Sequence, residues 1–310
     1  MLVRTLSGTP PRTVLPQGTV DTQMHMYLPG FLAQPGGPDL PAGSLPTSDQ
    51  YRQVMGWLGI DRVVITQGNA HQRDNGNLLA CLAEMGDIAR GVAVIDAETP
   101  EAELDRLAEA RVVGARIMDL PGGAIGLDAL ETIDDRASAR GWMLAVQFDG
   151  SHILEHEPRL ARLKSRWVLD HHGKFFAGVT PESPQVRAVK RLIDKGNCWF
   201  KFAGCYESSK SGGPAYEDIA AVARDVAAHA PERIVWGTNW PHNLARQNAD
   251  YPDDAMLTDT VLGWLPNVDA LGLALVDNPE ALFGFAPFRG AMQRDFGRDE
   301  EVPVSLRRGR

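Results

Sequence analysis

Cysteine is scarce in this chain of 310 residues, which holds three, Cys81, Cys198 and Cys205. An odd number without C-x-x-C spacing excludes a disulfide framework and a thiolate zinc site, and fits a reducing compartment. Long apolar runs are missing as well. Segments such as Val63-Val64-Ile65 and Trp142-Met143-Leu144-Ala145-Val146 fall far short of the roughly 20 residues a membrane helix needs. Pro10-Pro11 stands where a secretory leader would carry its apolar stretch, so the expected location is the cytoplasm. Basic charge is in deficit: 31 Lys and Arg against 40 Asp and Glu leave −9 at pH 7. A nucleic-acid or anionic-membrane partner is therefore disfavoured. No G-x-G-x-x-G follows the first apolar strand and no Walker sequence occurs, which removes the main support for dinucleotide and P-loop readings.

What is present is a rhythm. Short segments rich in β-branched residues alternate with stretches long enough for helices. Strands are predicted at Thr19–Met24, Arg62–Thr66, Gly91–Ile95, Gly114–Met118, Met143–Phe148, Trp167–Asp170, Cys198–Phe202 and Arg233–Trp236. Helices are predicted at Ser48–Leu58, Asn77–Ala89, Pro100–Ala110, Leu127–Arg140, Ile153–Lys164, Pro184–Asp194, Tyr216–Ala230, Asp254–Trp264 and Asp269–Asp277. Eight alternations at this length point to one α/β domain, a (β/α)8 TIM-like barrel over residues 19–290, with an open doubly wound sheet as the alternative. Residues 1–18 then form an N-terminal arm and 291–310 a charged, loose tail. The Pro- and Gly-rich stretch from Pro29 to Pro46 is expected to lie as a loop over the barrel mouth.

In such a barrel, chemistry sits where strands end. His25, His71, His171, His172 and His242 fall at these ends or just beyond them, whereas His152, His156 and His229 fall in helical or loop segments and are read as structural. Arg116, inside an otherwise apolar strand, is the sharpest cationic candidate, because a buried guanidinium needs a partner that a ligand carboxylate can supply. The competing reading is an internal salt bridge to a strand-end Asp. Lys201 could equally pair with Asp170 or Glu207, and Arg73 on its loop could simply be solvated.

Several of these segments resemble a known family. Gln23-Met24-His25, Asp170-His171-His172-Gly173, Gly237-Thr238-Asn239-Trp240-Pro241-His242 and the late Asp277-Asn278-Pro279-Glu280-Ala281-Leu282-Phe283 are similar to the amidohydrolase superfamily. The similarity runs from about Asp21 to Phe283 and points to its lactonase-like branch, which includes 2-pyrone-4,6-dicarboxylate lactonase. Within that branch, Asp21–Gly30, Gln67–Asn77, Ala115–Gly123 and Leu169–Phe176 most resemble members that isomerise sugar-diacid lactones.

Two departures matter. Metal-dependent members carry H-x-H after strand one and Asp after strand eight, where this chain has Gln23 and Asn239. Carboxamides are poor ligands for a catalytic zinc, so no essential metal and no cofactor are expected. A carboxamide also cannot act as a base for water. The resemblance thus implies conversion of an aldaro-1,5-lactone such as D-galactaro-1,5-lactone to the 1,4-lactone by intramolecular acyl transfer, in uronate and aldarate catabolism. His25, His171 and Asn239 are the expected catalytic groups, with either histidine able to hold the carbonyl oxygen or relay the proton. Gln23 would orient the lactone, Arg116 with Arg73 or Lys201 would clamp its carboxylate, and Asn69, His71, Gln147, Tyr206 and His242 would contact it. Alternatives kept open are a lactonase, metal-dependent through His25, His171 and His71 or His242, or metal-independent, and a non-enzymatic aldarate-binding barrel. The expected partner is a small dicarboxylate sugar lactone, with a homo-oligomer left open.

Overall fold

The computed structural model describes residues 2–288; the segment expected as a tail from 291 lies outside the described residues. Eight strands alternate with helices: β1 (Val20–Met24), β2 (Arg62–Thr66), β3 (Ala89–Ala93), β4 (Val112–Asp119), β5 (Met143–Phe148), β6 (Trp167–Leu169), β7 (Cys198–Phe202) and β8 (Ile234–Trp236). The helices are α1 (Ser48–Leu58), α2 (Gly76–Met85), α3 (Glu101–Glu109), α4 (Leu130–Ala139), α5 (Ile153–Leu160), α6 (Pro184–Asp194), α7 (Glu217–His229), α8 (Asp254–Leu262), α9 (Val268–Gly272) and α10 (Asn278–Phe283). All strand pairs are parallel and follow chain order. Beyond the strand ends β1 meets β8: Met24 bridges Trp240, and Asn239 N donates to Gln23 O at 2.8 Å. The sheet is therefore a nearly closed (β/α)8 barrel in a single domain.

Its strands read as continuous apolar runs because both faces are covered. Val63 and Ile65 point outward to the helices, while Val64 joins Val92, Ala145, Val168, Trp199 and Val235 in a separate inner cluster. Leu282, Phe283 and Phe285 seal the N-terminal end of that cluster. Alternation then fixes what lies one layer higher. Two residues beyond Val64, Ala145, Val168 and Trp199 come Thr66, Gln147, Asp170 and Lys201, so these polar side chains enter the barrel at its C-terminal mouth.

Several boundaries differ from the sequence expectation, and three of them have a clear local cause. The second helix ends at Met85 rather than Ala89, because Gly86 takes φ +69° and its N–H caps onto Leu82 O. The strand that follows starts at Ala89, which pairs with Val63. The last expected helix is α9, a π turn at Leu273–Asp277, and then α10. Pro279 is accommodated in the first turn of α10, where it gives up an N–H that would be unpaired anyway.

Residues 25–47 carry no regular element. This loop crosses the C-terminal end, where Gln34 N donates to Ala70 O at 2.7 Å, and buried Arg4 donates to Ala42 O at 2.8 Å. The N-terminal arm thus helps hold the loop over the mouth.

Candidate active site

Arg116 is buried, and its guanidinium donates to Gln67 O at 2.9 Å, Asn69 Oδ1 at 3.0 Å and Gln147 Oε1 at 3.0 Å. All three acceptors are neutral. Among the described residues no carboxylate lies within ion-pair distance of it, and its Nε–H finds no acceptor. The internal salt bridge of the competing reading is thus not formed. Burial pulls the pKa of Arg116 below the ordinary value, and the charges of Asp170, Tyr27 and Glu207 oppose that pull. The site therefore holds a cation that lacks a counter-ion.

The other two buried cations at the mouth are matched. Lys201 Nζ lies 2.7 Å from Asp170 Oδ1 and 2.9 Å from Gln23 Oε1, which resolves its two expected partners in favour of Asp170. Lys174, in the turn after β6, pairs with Glu207. An ammonium has three donors, so Lys201 keeps one for a ligand.

His25 sits between these cations. Its Nδ1 is 2.8 Å from Thr66 O, and a carbonyl can only accept, so Nδ1 carries the proton and Nε2 is left as a lone-pair acceptor. Burial, then the charge of Arg116, pushes its pKa down to about 3, with the Thr66 bond partly opposing and Lys201 adding a smaller lowering. His171 is held well below its usual value by burial and then by Lys174, Lys201 and Arg116. Both rings are neutral.

Asn239 follows β8 with φ +60°, a conformation Asn tolerates better than most side chains. Its Nδ2 donates to Tyr206 OH and to Glu207 Oε1, each at 2.8 Å. A Cβ on Gly204, which has φ +58°, would lie 2.7 Å from Asn239 Nδ2 and 2.9 Å from His171 Nδ1. Glycine at 204 is what lets the two side chains approach. Beneath them, buried Asp21 accepts from Tyr51 OH at 2.7 Å, Thr238 Oγ1 at 2.5 Å, and the N–H groups of Gln23 and Thr238, each at 3.0 Å. This carboxylate ties the end of β1 to the turn that carries Asn239.

Thus Gln23, His25, Asn69, Arg116, Gln147, His171, Lys201, Tyr206 and Asn239 converge at the mouth. Other expected residues do not join them. Arg73 pairs with Asp96 at 2.9 Å with its side chain 60% exposed, so it adds no second guanidinium to Arg116. His71 tethers the mouth loop through Nδ1 to Leu32 O at 3.1 Å. Both nitrogens of His242 are engaged, with Tyr206 OH at 2.6 Å and Asp254 Oδ1 at 2.9 Å, leaving no polar ring atom for a ligand. His172 packs its ring on Phe202. Sequence reasoning passed over Glu207 as an anchor of Asn239, and over Lys174, Asp254 and Tyr27. Tyr27 lies in the irregular loop, its hydroxyl accepting from Asn243 at 3.0 Å, and no periodicity marks it.

A family model described as amidohydrolase matches residues 20–285. The chain belongs to the amidohydrolase family. It is 62% identical over 93% of its length, and 98% of the relative's, to D-galactarolactone isomerase of Agrobacterium fabrum. It is 30% identical to a 2-pyrone-4,6-dicarboxylate hydrolase of Comamonas testosteroni, over 88% of this chain and 92% of that one. An apo crystal structure from Agrobacterium tumefaciens superposes with a TM-score of 0.90 at 61% identity, covering 92% of this amidohydrolase and all of that chain.

A crystal structure of the same fold, an amidohydrolase from Burkholderia multivorans, carries bound zinc (TM-score 0.64, 17% identity), and the residues present here do not fit such an ion. Among the described residues no three His, Cys, Asp or Glu side chains converge as a ligand set. Instead the Lys201 ammonium occupies the space between Gln23 Oε1 and Asp170 Oδ1, where it would repel a cation.

Proposed function

We propose that this amidohydrolase-family chain is a lactone isomerase that converts D-galactaro-1,5-lactone to D-galactaro-1,4-lactone without a metal, as a cytoplasmic step of galacturonate catabolism. The observation that carries this reading is Asn239, a carboxamide held by Tyr206 and Glu207 where a lactonase of the branch would place a carboxylate base for water. The 62% identical isomerase of A. fabrum supports the same substrate class.

The reaction moves one acyl group. The hydroxyl on carbon four attacks the carbonyl carbon one, the bond from that carbon to the ring oxygen breaks, and the hydroxyl proton ends on the released oxygen. Water is not consumed. Without a carboxylate base at position 239, activation of water loses roughly 10²–10⁴-fold, whereas an oriented internal hydroxyl gains effective molarities of up to about 10⁵–10⁸ M. The internal nucleophile therefore wins.

Arg116, the cation without a counter-ion, takes the free carboxylate of the lactone, braced by Asn69 and Gln147. The proton is accepted by His25, since its Nε2 is the open lone pair, and is returned to the leaving oxygen. This assigns His25 to the proton and leaves the developing oxyanion to Lys201 and His171.

The test is NMR of chelator-treated enzyme with D-galactaro-1,5-lactone. The 1,4-lactone should appear ahead of free diacid at undiminished rate. Diacid as the main product, or activity that needs zinc restored, refutes the reading in favour of a hydrolase, and binding without turnover refutes it in favour of an aldarate-binding barrel.

A further inference from the structure

Behind Asn239 runs a chain of hydrogen bonds that takes no part in the acyl transfer itself. Asn239 Nδ2 lies 2.8 Å from Tyr206 OH, that hydroxyl lies 2.6 Å from His242 Nδ1, and His242 Nε2 lies 2.9 Å from Asp254 Oδ1. His242 and Asp254 are both buried. Burial and then the charge of Glu207 hold the Tyr206 phenol well above its usual pKa, so it keeps its proton.

Donor and acceptor chemistry allows one arrangement of this chain. Each end is a carboxylate, Asp254 at one and Glu207, which is paired with Lys174, at the other, and carboxylates only accept. The atom of Asn239 facing Glu207 Oε1 at 2.8 Å must be the NH2 group. His242 must donate from Nε2 to Asp254, which leaves Nδ1 to accept from the phenol. The phenol oxygen then accepts the second hydrogen of the Asn239 amide. A doubly protonated ring would send two donors at the phenol oxygen and leave its hydroxyl hydrogen without an acceptor. Both amide hydrogens are consumed, and among the described residues no donor reaches Asn239 Oδ1.

We infer that Tyr206, His242 and Asp254 are positioning residues that lock the Asn239 carboxamide with Oδ1 turned to the mouth, where it holds the attacking hydroxyl of the bound substrate by its hydrogen until that proton passes to His25 Nε2, and cannot itself take it. The flipped amide would offer N–H to that oxygen and oppose the rise of its nucleophilic lone pair. The chain thus sets which nucleophile is oriented, and this role rests on the isomerase reading above.

The test has two arms on the full-length enzyme. Nitrogen-15 NMR of labelled histidine, without substrate, should show His242 as the single tautomer with Nε2 protonated and Nδ1 bare. In kinetics, Tyr206→Phe and Asp254→Asn should each lower kcat about 10–100-fold with KM within about threefold, as loss of an outer support does. Asp254→Asn, which can donate as well as accept, should also let the other His242 tautomer appear. An Nδ1-protonated or doubly protonated His242 in the native enzyme overturns the inference, as does either variant keeping native kcat while folded. A native enzyme that releases diacid refutes the isomerase reading instead, and the tautomer arm still decides the chain.

Discussion

Replacing Arg116 by Met separates binding from folding at this site. In the native protein the guanidinium is buried against three neutral acceptors at 2.9–3.0 Å, and among the described residues no carboxylate comes within ion-pair distance. A ligand carboxylate would complete a desolvated charge pair, and truncating one side of such a pair costs about 2–4 kcal/mol, or roughly 30- to 1000-fold in kcat/KM. In the free protein the terms oppose each other. Removing an uncompensated buried charge relieves a penalty of several kcal/mol. Stranding the acceptors of Gln67, Asn69 and Gln147 costs about 1–3 kcal/mol each before the amides turn to other partners. The net change is small, a shift in Tm of a few degrees. Differential scanning fluorimetry with the 1,4-lactone adds a second reading: ligand at about 100 Kd stabilises by about 2.7 kcal/mol, and Arg116→Met should lose that increment at the same concentration. A variant that unfolds early yet binds the lactone with native KM would refute the reasoning and make Arg116 a structural brace.

Three further outcomes follow from the same geometry. Asn239→Asp should raise the share of diacid among products, because it restores a base for water; an unchanged ratio by NMR would place residue 239 away from the chemistry. Gly204→Ala should lower kcat by at least tenfold, since the new Cβ would lie 2.7 Å from Asn239 Nδ2 and 2.9 Å from His171 Nδ1, and should cost about 1–2 kcal/mol in urea denaturation for the left-handed φ; native kinetics would show that the two side chains need no such approach. Asp21 has its pKa raised to about 6, chiefly by burial, with its four donors only partly offsetting this. A carboxyl raised from about 4 to about 6 on folding favours the fold below pH 4 and loses that advantage as pH climbs through 6. The stability gap between native protein and Asp21→Asn should therefore narrow over pH 4–6, and a constant gap would contradict the assignment.

The barrel was legible because its strands, buried on both faces, leave apolar runs such as Val63-Val64-Ile65 that no helix period explains. Arg116 and Lys201 stood out for the same reason, as charges inside those runs. Boundaries at Met85 and Ala89 were not legible, because the apolar pattern continues across the φ-positive Gly86 that breaks the helix. Arg73 and His242 had the right position along the chain, but strand-end position says nothing of partners, and Asp96 and Asp254 claim them. Asp254 itself, 12 residues from His242, opens α8 as an ordinary helix-start acid and carries no local signal of its contact.

The seam between β1 and β8 has a consequence for how the enzyme is made. Gln23 and His25 leave the ribosome more than two hundred residues before Asn239 and its neighbours, and Thr238 reaches Asp21 across 217 positions. Until then β1 is an open edge with unpaired N–H and C=O groups, a template for pairing with other chains. Closing the seam removes that edge and completes the mouth in one event, so a nascent or truncated chain that stops short of Trp240 is both inactive and prone to aggregate.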